Sequence, residues 1–128
     1  MTRSGPQATR DSRSPSPPEL TSAQFHILLT LSEGARHGYG IMQEIAERTD
    51  GATELGPGTL YRSIKQLLQA ELIAEVEASS DDPEGSASRR RTYALTPAGR
   101  VRVAEEAERL RDLVRWAQDA MVLEGGRP

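Results

Sequence analysis

The chain has no cysteine, so neither a disulfide framework nor a thiolate zinc site can be built. It has only two histidines, His26 and His37, and neither has a second ligand or a nucleophile at a spacing that suggests a metal site or catalysis. A glycine-rich phosphate loop is missing as well. An enzyme is therefore not expected, and neither a cofactor nor a metal ion is called for. No apolar run approaches bilayer length, and no signal-peptide apolar stretch follows the N-terminus, so the expected location is the cytoplasm. Aromatic residues make up 4% and hydrophobic residues 36% of 128 residues, which allows only a modest core. A chain this small often completes its burial by oligomerising. Lysine is almost absent too, since Lys65 is the single one, a bias that a GC-rich genome explains. The net charge of −3 would argue against a polyanionic partner if the charge were spread evenly.

It is not spread evenly. In Gly56 to Ile73, Pro57 stands where a helix would start, because its missing N–H is no loss in the first turn. Leu60, Ile64, Leu67 and Leu68 then recur at helical spacing on one face. The opposite face carries Gly58, Arg62, Lys65, Gln66 and Gln69, with Thr59 beside them and no carboxylate. The small residues Gly58 and Thr59 would let a phosphate approach the open N–H groups of the first turn. These features point to a helix that enters a DNA major groove; the plainer alternative is a surface helix that happens to lack acids.

The rest of the chain fits around that helix. Residues 1–18 are rich in Ser, Pro, Thr and Arg and are expected to be a disordered tail, the other reading being a weakly cationic arm that grazes phosphates. Thr21 and Gln24 match a capping box, and Leu20 and Phe25 a hydrophobic staple. An apolar helix follows and ends at Gly34. A second helix is expected after His37-Gly38-Tyr39-Gly40, closed by Asp50-Gly51. Tyr39 reads either as a phosphate ligand near that helix start or as an aromatic wedge between helices. Helix, helix, turn, helix is the helix-turn-helix arrangement, with the last helix as reader.

Beyond it, Leu72, Ala74 and Val76 alternate with Ile73, Glu75 and Glu77, and the alternation resumes at Arg89 to Leu95 after a polar loop from Ser79 to Ser88. Two strands and a loop make a wing. Arg89, Arg90 and Arg91 would meet phosphates or a minor groove, or else pair with Asp81, Asp82 and Glu84 in the same loop. Thr96-Pro97 then opens a last helix. Its Val103, Ala107, Leu110, Val114, Ala117 and Met121 are spaced as a coiled-coil seam, with balanced charges on the flanks. Leu113 and Trp116 stand just off it. The stripe is expected to join two subunits, with Trp116 either in that contact or lining a small-molecule pocket. The expected class is mainly α (α+β): a winged helix-turn-helix over residues 19–96 with a two-stranded wing, and a long C-terminal dimerisation helix with a short tail over 97–128.

His37-Gly38-Tyr39, Pro57-Gly58-Thr59-Leu60-Tyr61, Leu72-Ile73 and Tyr93-Ala94-Leu95-Thr96-Pro97-Ala98-Gly99-Arg100, in that order, resemble the PadR-like winged-helix transcriptional regulators. The likeness covers residues 20 to 100, and the single helix after residue 96 is similar to the short-tailed subgroup. It implies a dimeric DNA-binding protein, usually a repressor and sometimes released by a small ligand, held together by the C-terminal and N-terminal helices. It also implies DNA contacts from Tyr39, Thr59, Tyr61 and Lys65, with Arg91 or its neighbours from the wing. Two positions depart from the family pattern. Arg62 replaces a common proline and adds a cation to the outward face. Glu71 replaces the usual glycine, which removes a glycine C-cap from the reading helix. Read without the resemblance, the same fold would also suit a module that binds another protein.

Overall fold

A computed structural model of the chain describes residues 19–77 and 91–120. Helix α1 (Ser22–Leu31) is held at its start by the expected capping box: the Thr21 hydroxyl accepts from the Gln24 N–H at 3.0 Å, and Gln24 Oε1 accepts from the Thr21 N–H at 2.9 Å. Such a cap stabilises a helix by roughly 1 kcal/mol. Strand β1 (Arg36–His37) leads into α2 (Gly38–Arg48), and α3 (Pro57–Gln69) follows a short connection. Strands β2 (Ile73–Val76) and β3 (Thr92–Leu95) precede the long α4 (Pro97–Asp119).

The sheet has three strands in the order β1-β3-β2, all pairs antiparallel, with Arg36 opposite Tyr93 and Ile73 opposite Leu95. Two-residue β1 adds an edge that the two-stranded wing did not include. Helix α2 also begins three residues earlier than expected. His37 is its N-cap, with Nδ1 accepting the Gly40 N–H at 3.1 Å. One histidine thus ends a strand and starts a helix. In β2 the buried residue is Ile73, while Val76 is exposed. The apolar set Leu72, Ala74 and Val76 does not form the inner face, because Leu72 belongs to the turn that ends α3 rather than to the strand.

The core joins Ile27, Leu28 and Leu31 of α1, Ile41 and Ile45 of α2, and Leu60, Ile64 and Leu67 of α3 to Ile73, Tyr93 and Val103. Truncating any of the fully buried leucines would cost about 2–5 kcal/mol. Burial pushes the Tyr93 phenol above its ordinary pKa, and the Glu75 carboxylate adds to the effect. Helix α1 touches α2, α3, α4 and β3, so it is the central element that its apolar composition suggested.

Helix α3 ends in a Schellman turn, with Leu72 N–H donating to the Leu67 carbonyl and Glu71 N–H to Leu68. The glycine is missing but the turn is not, since Glu71 itself adopts the left-handed conformation (φ 63°). That conformation costs a non-glycine residue about 1 kcal/mol. The turn is tied to α4 by Thr96. Its hydroxyl donates to the Glu71 carbonyl at 2.8 Å and accepts the Gly99 N–H at 2.9 Å, and its own N–H donates to the Leu72 carbonyl. A β-carbon at Gly99 would collide with that same carbonyl. The Leu72-Ile73 and Thr96-x-x-Gly99 motifs are therefore two sides of one contact.

Candidate nucleic-acid interface

The amphipathic pattern of α3 places its residues as read. Leu60, Ile64 and Leu67 are buried, and Gly58, Tyr61, Arg62, Lys65, Gln66 and Gln69 are exposed, with Thr59 half-buried. Pro57 occupies the first turn, and the Gly56 cap makes no side-chain hydrogen bond, so N–H groups at this helix end stay open. No acid lies in the first turn. Among the described residues, no carboxylate pairs with Arg62 or Lys65, whereas Arg36, Arg48, Arg91, Arg102, Arg109, Arg111 and Arg115 all have acidic partners. Two open cations beside an uncapped helix N-terminus make a surface suited to a polyanion.

Tyr61 connects α3 to the start of α2. Its hydroxyl lies so close to Gly38 that a β-carbon there would sit 2.5 Å from it. The glycine of the His37-Gly38-Tyr39 motif is thus the seat of the tyrosine that ends Pro57-Gly58-Thr59-Leu60-Tyr61. Tyr39 next to it is 58% exposed, which rules out the wedge between helices. The ring that lies against a neighbouring helix is Tyr61.

In the wing, Arg91 lies 3.5 Å from Glu75 across β2 and β3, both side chains being largely exposed. A pair of that kind contributes at most about 1 kcal/mol and leaves the arginine available. Arg89 and Arg90, with Asp81, Asp82 and Glu84, lie outside the described residues, as do Met121 and the 1–18 tail.

Helix α4 has two halves. In the first, Gly99, Val103 and Glu106 are buried, and the helix packs on the chain's own α1 and β3. Val103 therefore belongs to the core rather than to a free seam, Ala107 is exposed, and Leu110 is half-buried. Glu106, placed by the sequence pattern on a charged flank, is only 6% exposed. Arg109 clasps it through Nε (3.2 Å) and Nη2 (2.6 Å), which holds its carboxyl below the usual range. In the second half no described residue covers the apolar side. Leu113 and Val114 are exposed, Ala117 is half-buried and Trp116 is 69% exposed.

Comparison with known proteins decides the family. The profile of the transcriptional regulator PadR-like family matches residues 27–105. The chain belongs to the PadR-like family. The PadR-like proteins are transcriptional regulators rather than enzymes. Transcriptional regulator Rv3488 of Mycobacterium tuberculosis is 31% identical over 97 residues, 76% of this chain and 83% of that protein. A 37.1 kDa protein of transposon TN4556 in Streptomyces fradiae is 36% identical over 85 residues, 66% of this chain; the chain spans 22% of that protein's length. A solved transcriptional regulator from Clostridium thermocellum has 26% identity and a TM-score of 0.62, covering 78% of this chain and 92% of the other. The winged-helix fold of this PadR-like chain, four helices with a small antiparallel sheet, agrees with that neighbour.

Sequence reasoning missed two features of the site. One is His37 as the α2 cap, for which histidine gives no strong signal. The other is a hydrogen bond from Gln24 Nε2 to Gln66 Oε1 at 2.9 Å, between residues far apart in the chain.

Proposed function

We propose that this PadR-like chain is a sequence-specific DNA-binding regulator that works as a cytoplasmic homodimer and represses its own or a nearby promoter. The observation that carries the reading is the outward face of α3, with open Arg62 and Lys65, no carboxylate and an uncapped N-terminus. Arg62, Lys65 and Gln66 reach base edges or phosphates from the major groove, while Thr59, Tyr61 and Tyr39 hold the backbone. The open Gly58 lets a phosphate come close, and the wing arginines Arg89, Arg90 and Arg91 add phosphate contacts alongside. Residues 19–96 serve as the DNA-binding unit, and α4 beyond Leu110 joins two chains through Leu110, Leu113, Val114 and Ala117, a stripe that Met121 would extend. The exposed Leu113 and Val114, with half-buried Leu110 and Ala117 at helical spacing, support that contact. A small effector, if one releases the operator, meets Trp116 between the paired helices.

Titration of the purified chain against its own upstream DNA, with scrambled DNA as control, tests the reading at two salt concentrations. Tight, selective binding that weakens steeply with salt is expected, because each phosphate neutralised contributes a log–log slope of about −0.9. Equal, weak binding to both DNAs would contradict it and favour a protein partner for the winged helix.

A further inference from the structure

Gln66 stands one turn after Arg62 on α3, exposed at the edge of the outward face nearest α1. Its side chain is the last member of a relay that starts in the capping box. The Thr21 backbone N–H can only donate, so the Gln24 atom that meets it is the oxygen, Oε1. That leaves Gln24 the amide nitrogen, which can only donate, and it reaches Gln66 at 2.9 Å. The Gln66 atom that accepts is therefore its oxygen. What Gln66 turns away from α1 is its NH2 group. A main-chain donor on one helix thus fixes the polarity of an amide on another.

We propose that Gln66 meets DNA as a hydrogen-bond donor and that Gln24, without touching DNA, is the positioning residue that sets this polarity. The inference rests on the DNA-binding reading above. A free glutamine reads adenine with both groups, accepting from N6 and donating to N7. Gln66 has its oxygen engaged on the α1 side, so it selects acceptor edges instead: guanine O6 and N7 or thymine O4, with adenine offering N7 alone beside its N6 donor. Cytosine, which offers a donor at N4, is disfavoured.

The test is Gln24→Glu in the full chain. A Thr-x-x-Glu capping box is as good as Thr-x-x-Gln, so α1 keeps its start. The new carboxylate has only acceptors, so Gln66 must turn its NH2 group toward it and present its oxygen to DNA. Sequencing of bound molecules from random DNA should show guanine or thymine at one position of each half-site for the unmodified chain. Cytosine should replace it there for Gln24→Glu, a reversal of about fivefold or more, whereas adenine, with an acceptor at N7 and a donor at N6, does not discriminate. The added charge weakens binding to all sequences alike and cannot imitate a reversal at one position. Gln66→Ala should erase the preference at that position and keep the others. Unchanged preference in Gln24→Glu, or an unaltered pattern in Gln66→Ala, overturns the proposal while leaving DNA binding intact. No sequence selection by the unmodified chain would instead sink the DNA-binding reading and this one with it. In the free chain, NMR should find the Gln66 NH2 protons open to exchange, becoming protected in Gln24→Glu. Identical behaviour in both would refute the relay without reference to DNA.

Discussion

Past Arg100, which has no ion pair with a described residue, helix α4 carries its cations in the opposite way to α3. On α4, Arg102 and Arg109 face Glu106, Arg111 faces Glu108 and Arg115 faces Asp112, all within one helical turn. On α3, Arg62 and Lys65 have no acid on their own helix and no ion pair with any described residue. Charges that neutralise each other keep a helix soluble and leave its apolar stripe to decide the partner. Charges left open draw a polyanion. A net charge of −3 is therefore compatible with one face suited to a polyanion, because among the described residues that face carries no acid.

The sharpest way to break that contrast is to give α3 the charge pattern of α4. Arg62→Glu with Lys65→Glu should lower operator affinity by about 100-fold or more in titration, since each lost base or phosphate contact weighs roughly 1–3 kcal/mol. Both side chains are exposed, so the melting temperature should hardly change. Arg111→Ala with Arg115→Ala is the matching control on α4, and it should leave affinity and salt slope as they were. A loss of affinity there would mean that the contrast has been misjudged.

The apolar stripe of α4 comes second. Leu113→Glu with Val114→Glu should turn dimers into monomers in sedimentation at micromolar concentration, with the fold intact by circular dichroism. Operator binding should fall with dimer formation, because two half-sites are then no longer engaged together. Dimers that persist would remove this stripe from the interface.

Smaller effects concern how each helix ends or pairs. Glu71→Gly relieves the left-handed residue after α3 and should stabilise the chain by about 1 kcal/mol, a rise of several degrees in melting temperature. A fall would show that Glu71 makes a contact worth more than the strain. Glu106 offers a pH test on α4. Its carboxyl is held below the usual range, chiefly by the hydrogen bonds from Arg109. The stability it gives is thus present above its unfolded pKa of about 4.3 and is lost as pH falls through the lower folded value. Glu106→Gln should melt earlier at pH 7 and show a smaller drop between pH 7 and pH 3. Equal drops in both proteins would assign the acid sensitivity elsewhere.

Much of this was legible in the residues because the signals are local. Thr21 with Gln24, Pro57, and Thr96 with Pro97 mark helix starts within four residues, and the α3 stripe repeats often enough to fix its face. What escaped was set by distant contacts. Strand β1 is two residues long, too short for any alternation to register, and exists because β3 pairs with it. Glu106 reads as a flank charge until the fold buries it and Arg109 satisfies it. The α3 end was expected to change without its glycine, yet Thr96 and the Leu72 carbonyl hold the turn and Glu71 follows. The link between Gln24 and Gln66 has no pattern in the sequence at all.

The measurement that tests the account most directly is a hydroxyl-radical footprint of the full chain on its selected operator. Two α3 helices from one dimer should protect two symmetric stretches whose centres lie about 34–36 Å apart, or a multiple of that spacing. A single protected stretch, or protection without symmetry, would contradict the pairing of an open α3 face with an α4 dimer.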